Sequence, residues 1–198
     1  NAVQGSPVKE HGITLPGEPV AVSLWVNPAA PRNGTTLWIR SVDANGVFRF
    51  HELGLLDFEG YRRMEARINA KAIGVEYPLH VVGIVMTQTE SLNDDGRSLI
   101  IDDLGAVSAD GKETIVDDFE SAFRWEPIRT ATRDRDTLQQ VGQAAHSGSG
   151  AAAYAFLTGS GVPIRGIYVA DPNIPVPALA SRYFMERTGL KKIGRAHV

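Results

Sequence analysis

Residues 20–26 alternate, with Val20, Val22, Leu24 and Val26 on one side and Ala21, Ser23 and Trp25 on the other. A period of two marks a strand with one buried face. The pattern returns over 35–41, where Leu37 and Ile39 stand opposite Thr36, Trp38 and Arg40. Asp43-Ala44-Asn45-Gly46 predicts a tight turn, because Asn-Gly supplies the positive φ of a hairpin. Residues 47–50 are the expected returning strand, 53–60 a loop and 61–68 a further strand. Residues 78–87 are rich in β-branched side chains and read as strand. Turn signals at 93–96 and 109–112 frame strands over 98–104 and 114–116. Short strands at regular spacing predict a jelly-roll β-sandwich that closes near Val116.

The pattern changes beyond that point. Residues 117–128 are acidic and aromatic, and 129–143 are polar with helix-forming pieces. Residues 151–158 fit a strand or a short helix, and 164–169 fit a strand. The prolines in 171–177 impose extended chain. Residues 178–188 read as a helix closed by Gly189. The expected fold class is therefore mainly β, a jelly-roll β-sandwich followed by a smaller mixed α/β segment. Residues 117–119 and 146–155 are candidate opening strands of a second β unit.

Composition narrows the function classes. The chain has 198 residues, 43% apolar and 22% charged, an ordinary globular balance. A net charge of -3 leaves no excess of Lys and Arg to displace phosphate counterions, so nucleic acid is not an expected partner. The absence of Cys excludes disulfides, Cys-ligated zinc and a thiol nucleophile. The most apolar stretch, 79–86, falls far short of the roughly 20 residues of a membrane-spanning helix.

Candidate chemistry is sparse. Trp25 and Trp38 fall on the more polar faces of what read as adjacent strands. An exposed aromatic pair there stacks on the apolar C–H face of a sugar ring. Arg40, with Arg49 nearby, would complete a polar platform. Against this stands the general burial of large aromatics under loops or a second sheet. The pairs Asp94-Asp95, Asp102-Asp103 and Asp117-Asp118 suggest a hard cation. Strand neighbours point to opposite faces, however, so Asp102 and Asp103 ligate together only across a bulge. Turn and strand-end roles fit the pairs better. His11, His51, His80 and His146 show no metal-ligand spacing. No G-x-S-x-G elbow occurs. The Gly-Ser-Gly stretches at 148–150 and 159–161 lack the Lys of a phosphate loop. No catalytic residue, metal or cofactor is expected. The ligand-binding candidates are Trp25, Trp38 and Arg40.

Three stretches carry a family resemblance. Residues 56–63 (LDFEGYRR), and 98–104 (SLIIDDL) followed by 115–120 (IVDDFE), resemble the galactose-binding-like jelly roll of many carbohydrate-binding modules. There a Gly-aromatic pair opens a strand, here Gly60-Tyr61 where Trp is commoner, and a late strand ends in Asp-Asp. Residues 175–191 (PVPALASRYFMERTGLK) are similar to a segment in the extracytoplasmic region of FtsX-like ABC transporter permeases. Residues 192–198 (KIGRAHV) resemble one reading frame of a sequencing adapter and are expected not to be native.

The resemblance implies a fragment of a permease's large outer loop. In it, 1–116 is an N-terminally truncated jelly roll, 117–174 a connecting segment and 175–191 the start of a permease-type subdomain. Its partners would be the membrane-embedded remainder of the same permease and a separate ATPase subunit, with a glycan or cell-envelope ligand outside. The implied location is the extracytoplasmic face of the cell membrane, and the implied role is mechanical coupling without bond chemistry. The alternative is a carbohydrate-binding module of a secreted glycan-active enzyme.

Overall fold

The computed structural model describes residues 12–28, 30–88, 98–120, 125–127, 137–141, 151–155 and 164–169. In chain order its strands are β1 (Ile13–Thr14), β2 (Ala21–Asn27), β3 (Arg32–Val42), β4 (Phe48–Leu56), β5 (Arg62–Arg67), β6 (His80–Gln88), β7 (Ser98–Val107), β8 (Glu113–Asp117), β9 (Trp125–Pro127), β10 (Thr137–Val141), β11 (Ala151–Ala155) and β12 (Ile164–Val169). One short helix, α1 (Ala70–Ile73), follows β5. The expected helix over 178–188, the permease-like segment 175–191, His146 and the Asp94-Asp95 pair lie outside the described residues.

The strands form two antiparallel sheets, and the protein is mainly β. Sheet A runs β4-β3-β6-β12-β9, with β1 also on β6. Sheet B runs β10-β11-β7-β2-β5, with β8 also on β7. In sheet A, β6 gives one edge to β3 and divides the other between β1 and β12. In sheet B, β7 gives one edge to β2 and divides the other between β8 and β11. Val22, Leu24 and Val26 of β2 and Leu99 and Ile101 of β7 share one buried cluster with Leu37 and Ile39 of β3 and Ile84 and Met86 of β6. Two inner faces interleaving their alternate residues is the packing of a β-sandwich.

Strands beyond residue 116 take part in both sheets. β9 and β12 belong to sheet A, and β10 and β11 to sheet B. Phe119 and Trp125 belong to the same core cluster as the earlier strands. Residues 117–119 do not open a separate sandwich, because β8 ends at Asp117 and pairs with β7. The polar stretch 129–143, read as helix-forming, contains β10, which pairs with β11 over Thr137–Val141. Residues 151–155 resolve as strand, not helix.

The loop expected from residue 53 begins later, because β4 continues to Leu56. A register shift falls between Leu37 and Trp38, whose partners on β4 are Gly54 and Glu52. Gly54 there has φ +123, a conformation open to glycine and strained for other residues. The bulge hides the strand's alternation from the sequence.

The β3–β4 turn forms as expected. Gly46 has φ +77 and its N–H donates to Asp43 O at 2.9 Å. On the inner side of this hairpin, Ser41 Oγ and His51 Nε2 share a hydrogen bond of 2.8 Å. Burial, with the Arg49 charge adding to it, lowers the His51 pKa from 6.5 to about 4. The unfolded chain therefore binds a proton between those values that the folded chain does not. His51 thus favours the fold fully above pH 6.5, and that contribution is lost as pH falls through about 4. The loss is on the order of 3 kcal/mol. We expect urea unfolding of His51→Gln to show a shallower decline of stability over this pH range than the parent. Parallel curves would remove His51 as the cause.

Candidate functional site

Because Val22, Leu24 and Val26 point into the core, alternation sends Ser23, Trp25 and Asn27 to the outer face of sheet B. Trp25 is half-buried and lies opposite Arg63 on β5 and Asp102 on β7. Asp102 is fully buried. Between the pairs of Ser23 and Trp25, β7 carries an extra residue, and Asp103 there takes φ +45. The Asp103 N–H donates to Asp102 Oδ1 at 2.9 Å. A bulge does fall at Asp102-Asp103. Among the described residues, however, no group of three His, Cys, Asp or Glu side chains is placed to hold a metal ion.

Polar groups surround the indole. Burial raises the Tyr61 hydroxyl pKa above its usual value; a hydrogen bond with Asn27 opposes this and the Asp102 charge adds to it. Tyr61 therefore stays protonated and keeps a hydroxyl for hydrogen bonding. Arg63 Nη1 donates to Glu65 Oε2 at 2.8 Å, and its Nη2 and Nε donate to Glu113 Oε1 at 2.9 and 3.0 Å. The Ser23 hydroxyl also donates to Glu113. Gly105 makes this reach possible, because a Cβ there would fall 2.5 Å from Ser23 Oγ and 2.9 Å from Glu113 Oε1.

The same face opens into a shallow cleft of about 470 Å³. Its floor and walls include Ala21, Glu65, Arg67 and Val107, closed at one end by Ser108 and Gly111 of the β7–β8 turn. Glu65 belongs both to this cleft and to the Arg63 ion pair.

The three sequence candidates are not brought together. Trp25 is on sheet B, whereas Trp38 and Arg40 are on β3 in sheet A. β2 and β3, with only residues 28–31 between them, are neighbours in sequence but belong to opposite sheets. Trp38 is only 4% exposed, and its Nε1 donates to Thr87 Oγ1 at 3.0 Å. Arg40 is fully buried, with its guanidinium 3.9 Å from the Phe48 ring centre. Both are interior residues, so Trp25, Trp38 and Arg40 do not form the expected exposed platform, and of the three Trp25 alone is partly exposed. Arg49 pairs with Asp43 at 3.0 Å and is not part of it either.

Sequence reasoning missed Arg63 and Asn27 as neighbours of Trp25, and Glu113 as the partner of Arg63 and Ser23. The alternation of Arg63, Glu65 and Arg67 was readable, but its pairing with β2 is non-local. No family model, curated protein or solved structure matches the chain.

Proposed function

We propose that this chain is a non-catalytic jelly-roll module that binds a saccharide on the outer face of sheet B. The observation that supports this is Trp25, a half-buried indole set among Arg63, Asn27, Tyr61 and Asp102. An indole offers an apolar face to a sugar's C–H groups, and the partly exposed Arg63, Asn27 and Tyr61, with Asp102 buried beneath them, meet its hydroxyls. Such binding needs no covalent step.

The module's context, by its resemblance over 175–191, is the extracytoplasmic region of an FtsX-like permease. There the sandwich would couple motion driven by a separate ATPase to capture of a cell-envelope ligand. The alternative context is a secreted glycan-active enzyme. Among the described residues, no helix is long and apolar enough to cross a membrane. The complete reading frame of the source distinguishes the two: flanking transmembrane helices support the permease, and a hydrolase domain discards it.

Trp25→Ala tests the binding role. Calorimetric titration with neutral oligosaccharides is expected to lose at least about tenfold in affinity, equivalent to 1.4 kcal/mol. The melting temperature should move little, because the indole is only half-buried. A large fall in melting temperature with affinity unchanged would make Trp25 a packing residue.

A further inference from the structure

The outer faces of the two sheets differ. On sheet B, Trp25 and Arg63 are half-buried, and Glu65 and Arg67 are exposed. On sheet A, residues 37–42 of β3 and 80–87 of β6 are buried on both faces. Leu37, Ile39, Ile84 and Met86 face the sandwich core. Trp38 and Arg40 face away from it, and the register sets Val85 beside Trp38 and Phe50 beside Arg40. Trp38, Phe50 and Val85 are 4%, 8% and 0% exposed, yet none belongs to the core cluster.

These side chains need a cover of their own. Every described strand lies in one of the two sheets, and α1 buries no residue. The described strands and helix therefore supply no third layer. The burial fades at β4, where Glu52 and Leu55, paired with Trp38 and Thr36, are exposed. The cover thus lies over β6 and β3.

Two lengths of chain begin beside β6. Residues 1–11 lead into β1, where Ile13 pairs with Val81. Residues 170–191 follow β12, where Tyr168 pairs with Gly83. The first offers only Val3 and Val8 as larger aliphatic side chains. The second offers Leu179, Tyr183, Phe184 and Met185 within the helix that the sequence predicts over 178–188. Leu179 and Tyr183 are four apart, on one face of such a helix. Eleven helical residues run about 16 Å. That exceeds the two strand spacings of about 5 Å each from β12 to β3. Interior connections such as 89–97 and 128–136 are polar. Charge agrees with the second choice. Arg40 is 0% exposed, and a guanidinium keeps its charge when buried and calls for acidic company. Tyr168 pairs with Gly83, which pairs with Arg40, and Asp171 follows three residues later.

We propose that the outer face of sheet A is the docking surface for this chain's own residues 170–191. The Leu179–Tyr183 face lies across Trp38, Val85 and Phe50, with Asp171 toward Arg40. This is independent of the saccharide-binding reading, which concerns the other sheet.

The chain has no Cys, so one introduced thiol reports on its own site. Val85→Cys probes the outer face of sheet A, and Ile84→Cys, next to it on β6, probes the core. Labelling by a maleimide is timed for each in the full chain and in the full chain carrying Leu179→Ser with Tyr183→Ser. It is repeated in chains lacking 170–198, 192–198 or 1–11.

Both thiols should label slowly in the full chain. With the two serines, the thiol of Val85→Cys should label at least about tenfold faster and that of Ile84→Cys at its former rate, a local opening without global unfolding. Removing 170–198 should also expose Val85→Cys, whereas removing only 192–198 should change neither rate. Val85→Cys that stays protected with the serines and without 170–198 would overturn the proposal. So would exposure only on loss of 1–11. Equal acceleration at both sites with the two serines would also overturn it, because the segment would then belong to the sandwich core and not to a layer on sheet A.

Discussion

Replacing Trp125 with alanine is expected to destabilise the fold by about 3–5 kcal/mol, the range for deleting a buried large aromatic. Trp125 is 5% exposed and belongs to the core cluster. Its ring centre lies 5.7 Å from that of Phe119, tilted by 38°. Its Nε1 donates to Asp117 Oδ2 at 2.9 Å. The other oxygen of that carboxylate accepts from the Phe119 N–H at 2.9 Å. Phe119 sits at φ +55, a region that bulky residues rarely occupy. Asp117 and Trp125 together hold it there, with its ring 1% exposed. Alanine at 125 leaves a cavity and removes the donor to Asp117. Trp125→Phe keeps a ring and should cost distinctly less. Both are read as a lower urea midpoint at unchanged slope. An unfolding free energy for the alanine variant within about 1 kcal/mol of the parent's would mean that β9 lies outside the cooperative core.

Asp43→Ala should cost a similar amount, about 3–5 kcal/mol, the usual penalty for removing one partner of a buried ion pair. The Asp43 side chain is wholly buried, and the Arg49 side chain is 20% exposed. Asp43 Oδ1 accepts from the N–H groups of Asn45 and Val47 at 3.0 and 2.9 Å, which shapes the hairpin turn. Its Oδ2 accepts from Arg49 Nε and Nη2 at 3.2 and 3.0 Å. Arg49 Nη2 also donates to Gly74 O at 2.7 Å, tying the turn to the end of α1. Asp43→Asn keeps an acceptor for the turn and loses the charge, so its loss should be smaller. A double-mutant cycle with Arg49→Met should return a coupling above about 1 kcal/mol. Additive losses would show that the carboxylate acts through the turn alone.

The inner faces of β2 and β3 were legible in the sequence, because burial on one side writes a period of two into the chain; β6, buried on both faces, was legible only by its β-branched residues. Val22-Leu24-Val26 and Leu37-Ile39 named their own faces. β4 was half-legible, since the Leu53-Gly54 bulge breaks the alternation. β10 was not legible, because its polar residues take their strand conformation from pairing with β11. Alternation also does not report what covers a sheet's other face. Trp38 and Arg40 shared a face, as read, yet both are buried. The candidate site was legible only at Trp25. Arg63 and Asp102 come to it through pairings across 38 and 77 positions of sequence, which no local pattern records.

The divided edges of β6 and β7 bear on how the protein is made. A nascent chain that has emerged only as far as β8 already contains β1 to β8. The stretches of β6 and β7 reserved for β12 and β11 then have no partner. Ribosomes add about 5–20 residues per second, so the remaining strands arrive several seconds later. During that interval two apolar central strands expose unpaired backbone, the condition under which chains pair with one another. Expression at high rate should therefore favour aggregates. Faster translation across residues 117–169, which shortens the interval, or a holding chaperone, should recover soluble protein.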